Sequence, residues 1–137
     1  MTTALPSVPF WAYYDEDENT LHGLIRLEAD VLSLEYQVMN DEDILQEEIH
    51  HTTIRLADLD AVRFSQNVFW AKLTLRVRSL GLIKAIPGAR QGEVKLRFRR
   101  KHRDEAQALA SQLQLRMSER RIKQIDEEMR KLDGNHE

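Results

Sequence analysis

The stretch "EVKLRFRRKHRDEAQAL", Glu93 to Leu109, decides the fold because its hydrophobic period changes within it. Val94, Leu96 and Phe98 alternate with Lys95, Arg97 and Arg99, the period of two that marks a half-buried strand. From about Arg103 the apolar residues recur at helical spacing instead: Ala106, Leu109, Ala110, Leu113 and Met117. Asp104 and Glu105 fall in the first turn, where carboxylates suit the positive end of the helix dipole. No Gly or Pro interrupts before Gly134, so the spacing predicts a helix to Leu132, on the order of 45 Å long at 1.5 Å per residue. "KLRFRR" is then the outer half of a strand, and "KHRDEA" is the junction into the helix.

Working outward, the same period of two recurs upstream. "FWAKLTLRVRSL" places Phe69, Ala71, Leu73, Leu75 and Val77 inward and Trp70, Lys72, Thr74, Arg76 and Arg78 outward. "LIKAI" reads as a short strand ended by Pro87–Gly88. Earlier, "LHGLIRLE" puts Leu21, Gly23, Ile25 and Leu27 on one face, and "VLSLEYQVM" does so with Leu32, Leu34, Tyr36 and Val38. "ILQEEIHHTTIRL" is a long polar strand, with a bulge expected because Ile49 is out of phase with Ile54 and Leu56. "LDAVRFSQ" adds a strand through Val62 and Phe64. Residues 1–20 read as a lead-in, with the aromatic "SVPFWAYY" lying across the domain and "DEDENT" as a solvated loop. The domain itself spans 21–117, and 118–137 form a helix extension and flexible tail.

Seven strands followed by one amphipathic helix give a mainly β chain. The expected form is a seven-stranded β-sandwich or partly open barrel, capped by a long C-terminal helix. At 137 residues, 42% of them hydrophobic, the chain is one domain with a real core. It has no cysteine, which excludes disulfides, thiolate metal sites and a cysteine nucleophile. No apolar run approaches a membrane span and no export signal opens the chain, so a cytoplasmic location is expected.

The net charge of −3 conceals a segregation. Residues 1–60 carry 14 acidic side chains against Arg26 and Arg55, whereas residues 61–103 carry 12 basic ones against Glu93. Such asymmetry points to a charged partner.

The segments "HGLIRLEADVLSLEYQV", "TTIRLADLDAVRF", "LTLRV" and "IPGARQGEVKLRFRRKHRDEAQALASQL" resemble, in that order, the bacterial domains with a pleckstrin-homology-like (PH-like) fold. The resemblance covers Leu21 to Met117. It implies a four-stranded sheet against a three-stranded one with a capping helix, a fold that serves many binding tasks. In eukaryotic relatives, phosphoinositides bind clustered bases around the loop joining the first two strands. Here that loop is "EADV", whose Glu28 and Asp30 repel phosphate, with Arg26 the only base nearby.

Other chemistry is weakly supported. Asp15, Asp17 and Asn19 imitate the start of a calcium loop, but Thr20 and Arg26 stand where Gly and Glu are needed. Glu47, Glu48, His50 and His51 could ligate a metal, yet adjacent histidines on a strand point to opposite faces, and nothing brings His22 to them. No phosphate loop or nucleophile elbow is present, and the expectation is a non-enzymatic module with no cofactor and no metal.

What remains is binding. Lys72, Arg76, Arg78, Lys95, Arg97 and Arg99 form a candidate basic face. With the acidic strands in the other sheet, the two outer faces would carry opposite charge and attract head to tail. Ile122, Ile125, Met129 and Leu132 fall at a/d heptad spacing in the helix extension, a second candidate contact. Association with another protein or with itself is therefore expected. The alternative is a peripheral module that holds anionic membrane surfaces or nucleic acid on the basic face, although Trp70 is the only aromatic expected among those bases.

Overall fold

The computed structural model describes residues 7–13, 20–39, 48–78 and 92–134. Seven strands follow one another: β1 (Val8–Tyr13), β2 (Thr20–Glu28), β3 (Val31–Met39), β4 (His50–Arg55), β5 (Leu59–Gln66), β6 (Trp70–Val77) and β7 (Glu93–Arg99). The helix α1 spans Arg103–Gly134. All strand pairs are antiparallel, in the order β4-β3-β2-β1-β7-β6-β5. The chain is mainly β, and the arrangement is consistent with the PH-like fold.

The order explains the shape. Strands β4 and β5 are the two outer edges of the sheet, yet only a 3-10 turn, Leu56–Asp58, separates them in sequence. So short a link forces the sheet to curl until its edges approach, giving a barrel that is not closed. Two backbone bonds fasten this end: Leu56 N–H donates to the Asp30 carbonyl and Arg78 N–H to the Asp58 carbonyl, each 2.9 Å. At Gly23 a Cβ would come within 2.0 Å of the Glu35 carbonyl oxygen. Only glycine allows β2 and β3 to approach so closely there.

Inside the barrel the alternating residues form one core. Ile25, Leu27, Leu32, Leu34, Leu73, Leu75, Leu96 and Phe98 are buried, and Ala106, Leu109, Ala110 and Leu113 of α1 pack on the same cluster. Met117 is the last helix residue to reach it. The helix is also held by its arginines. Arg103 donates to the Asn67 carbonyl at one end of the barrel. At the other end Arg116 donates to the Ala29 carbonyl, Arg121 to that of Asp60, and Arg120 lies 3.6 Å from the Asp30 carboxylate.

Several expectations need correcting. The aromatic stretch read as a lead-in is the central strand β1, paired along its length with β2 and with β7 at Trp11–Arg97. The bulge lies between Leu59 and Ala61 of β5, and β4 pairs with β3 in unbroken register. Strand β4 starts at His50 and Leu56 belongs to the 3-10 turn, so the phase conflict falls outside the strand. Phe69 is 73% exposed because it sits in the β5–β6 turn. There the Asn67 side-chain oxygen accepts from the N–H groups of Phe69 and Trp70. The proposed "LIKAI" strand lies outside the described residues, as do Asp15, Asp17, Asn19 and Glu47.

Candidate functional site: a basic face studded with aromatic rings

The outer face of β1, β7, β6 and β5 is built by strand register. One row crosses four strands: Trp11 on β1 faces Arg97 on β7, which faces Lys72 on β6, which faces Ser65 on β5. On one side of this row Arg99 pairs with Trp70. On the other side Lys95 and Arg63 flank Thr74, and beyond them Arg76 pairs with Glu93. Thr74 is buried although it points outward. The aliphatic stems of long neighbours cover so short a side chain while their charged heads stay in water.

Five of the six predicted basic residues therefore share this face: Lys72, Arg76, Lys95, Arg97 and Arg99. The sixth, Arg78, follows the end of β6, and its guanidinium lies 3.8 Å from the Asp60 carboxylate. Arg63 belongs to the face as well, a residue that sequence reasoning passed over. Its register partner Thr74 gives it away once β5 is aligned with β6.

The larger omission is aromatic. The Arg97 guanidinium lies 5.7 Å from the Trp11 ring centroid and 5.2 Å from that of Tyr13, and the two rings meet edge to face. The Lys72 ammonium lies 5.9 Å from the Trp70 ring. Cations at such distances are attracted by the negative ring faces, by about 0.5–1 kcal/mol each at exposed sites. The aromatic rings thus bias the orientation of the two central charges. Past Trp11 the face opens into a cleft of about 350 Å³, lined by Pro9, Trp11, His22, Arg99, Lys101 and His102 among others.

The acidic face expected on β2–β4 draws most of its acids from outside the described residues. Arg26 pairs with Glu28 at 2.7 Å, and Arg55 with Asp58 at 3.2 Å, leaving Glu35 opposite His51. The acids at 15–18, 41–43 and 47 lie outside the described residues. Among the described residues, no group of three or more His, Asp or Glu could hold a metal ion. His50 stacks on Tyr36, and His22 approaches the Thr20 hydroxyl at 2.9 Å. Glu28 and Asp30, around the β2–β3 turn, engage Arg26 and Arg120.

On α1, Ile122, Ile125, Met129 and Leu132 are 61%, 55%, 59% and 62% exposed. None of them belongs to the core cluster. No helix among the described residues is long and apolar enough to cross a membrane. No protein-family model, curated protein or solved structure matches the chain.

Proposed function

We propose that this chain is a non-enzymatic PH-like binding module that docks an acidic polypeptide on the face centred on Arg97 and Lys72. One observation carries the reading. Arg97 and Lys72 stand directly opposite each other in the β6–β7 ladder, both half-buried and both oriented by aromatic rings. Like charges across a ladder destabilise a sheet. A carboxylate-bearing partner relieves that repulsion, while Trp11, Tyr13 and Trp70 supply apolar area beside it. At physiological salt the Debye length is about 8 Å, so the attraction acts near contact.

The three rings also favour a second reading, single-stranded nucleic acid, in which bases stack on aromatic side chains. Against it, cations already lie near the faces of all three rings.

Fluorescence anisotropy separates the two. The probes are a labelled helical peptide with Leu at a and d and Glu at e and g, an oligo-dT, and vesicles containing phosphatidylserine. The peptide should bind, and binding should weaken as salt rises and the Debye length shortens. Arg97→Glu with Lys72→Glu should reduce its affinity about tenfold or more. Binding of oligo-dT or vesicles without the peptide would replace this reading. No binding of any probe would reduce the face to a solvated surface.

A further inference from the structure

We infer that the occupant of the basic–aromatic face is the distal half of α1 from a second copy of this chain. This rests on the docking function proposed above and names its partner.

Among the described residues, the exposed large apolar side chains gather mainly in two places. One is the margin of the face, with Tyr13, Val68, Phe69 and Trp70; the other is a stripe on α1, with Leu115, Ile122, Ile125, Met129 and Leu132. The stripe is not a continuation of the buried helix face. Ile122 follows buried Leu113 by about two and a half turns, so it projects from the opposite side of the helix. Its own barrel leaves Ile122 uncovered, and Leu115 and Met129, seven residues to either side, share its direction.

Charge then selects the partner. By helical spacing, Glu119, Asp126 and Asp133 line one flank of the stripe, and Arg121 and Glu128 line the other. Arg121 is engaged with the Asp60 carbonyl of its own domain. Arg120 and Lys131 fall away from the stripe, and Lys123 and Arg130 lie just outside its acidic flank, four residues on from Glu119 and Asp126. The stripe is thus apolar with acidic borders, and the face is aromatic with basic residues. Two stripes zipped together fit less well. Antiparallel pairing sets the line of Glu119, Asp126 and Asp133 against its own copy, and parallel pairing sets Glu128 against Asp133 of the second copy.

Residues 122–132 cover about 16 Å of helix, which fits within the length of about 27 Å that the eight residues of β6 extend. A stripe docked on a different surface of the next copy is a heterologous contact, which closes into a ring or runs on as a chain.

Sedimentation velocity on the full chain tests this by complementation. The wild type should self-associate at low salt. A face variant (Lys72→Glu with Arg97→Glu) and a stripe variant (Ile122→Ser with Met129→Ser) should each be monomeric, with unchanged circular dichroism. Mixed together they should form a 1:1 dimer, because one retains the stripe and the other the face. A mixture that stays monomeric overturns the inference. So does association that survives the face variant but not the stripe variant, which identifies a helix–helix zipper. A monomeric wild type that still binds the acidic peptide overturns the self-docking alone, and one that binds no probe removes the docking face as well.

Discussion

Arg97 lies over the ring of Tyr13, its guanidinium 5.2 Å from the ring centroid, and the two residues come from the first and last of the described strands. The contact ties the charge at the centre of the face to the one strand that joins the two halves of the sheet. If it contributes to folding, the pair should couple energetically. A double-mutant cycle of Arg97→Ala and Tyr13→Ala, read by urea denaturation, should give a coupling of about 0.5–1 kcal/mol. Strict additivity would show that the ring merely lies nearby.

Phe98 and Phe69 offer a test of register. Phe98 is 1% exposed and Phe69 73% exposed. Phe98→Ala should cost about 3–5 kcal/mol by emptying a core site, whereas Phe69→Ala should change stability by no more than about 0.5 kcal/mol. Comparable losses at both positions would contradict the inward assignment of β7.

At Gly23 the backbone of β2 leaves no room for a side chain against β3. Gly23→Ala should destabilise the fold by at least about 3 kcal/mol, because the atoms its Cβ would meet are backbone and Cβ atoms of β3, which cannot rotate away. A variant melting within a few degrees of wild type would argue against the tight approach of β2 and β3.

Ala29 in the β2–β3 turn has φ of 50°, in the left-handed region where an L-residue is strained by about 1–2 kcal/mol. Ala29→Gly should remove that strain at some cost in chain entropy, leaving a gain of up to about 1 kcal/mol. A lower urea midpoint would show the turn to be relaxed with alanine.

Much of the fold was legible because both faces of most strands differ. Leu32 to Val38, Ala71 to Val77 and Val94 to Phe98 each alternate, and the change to helical spacing after Arg103 marks α1. Strand β1 was not legible, for a physical reason. Its outward residues, Pro9, Trp11 and Tyr13, are as apolar or aromatic as its inward Val8, Phe10 and Ala12, so no polar alternation announces it. Pro9 also argues against a central strand, but pairing with β7 is confined to Trp11, which leaves the proline clear of that ladder. Missing β1 hid two of the three aromatic rings of the site. The bases on β6 and β7 were visible, because those strands alternate cleanly, whereas Arg63 sits on β5, whose register is interrupted between Leu59 and Ala61. The expected acidic counter-face rests largely on acids at 15–18, 41–43 and 47, outside the described residues.

The Trp11–Arg97 pair has a further consequence, for the order of events as the chain is made. The β2–β3–β4 meander and the β5–β6 hairpin can form from neighbouring sequence, but the sheet becomes continuous only when β7 meets β1. Until then β1 offers one unpaired edge, and the core side of the barrel lacks both Phe98 and the helix that covers it. Assembly is therefore gated by a contact between distant parts of the sequence, the kind that slows folding. Pulse-labelled hydrogen exchange during refolding should find the amides of β2 and β3 protected before those of β1 and β7. A nascent chain lacking its last strand and helix would present the same open edge, and with it a surface that can pair with the wrong neighbour.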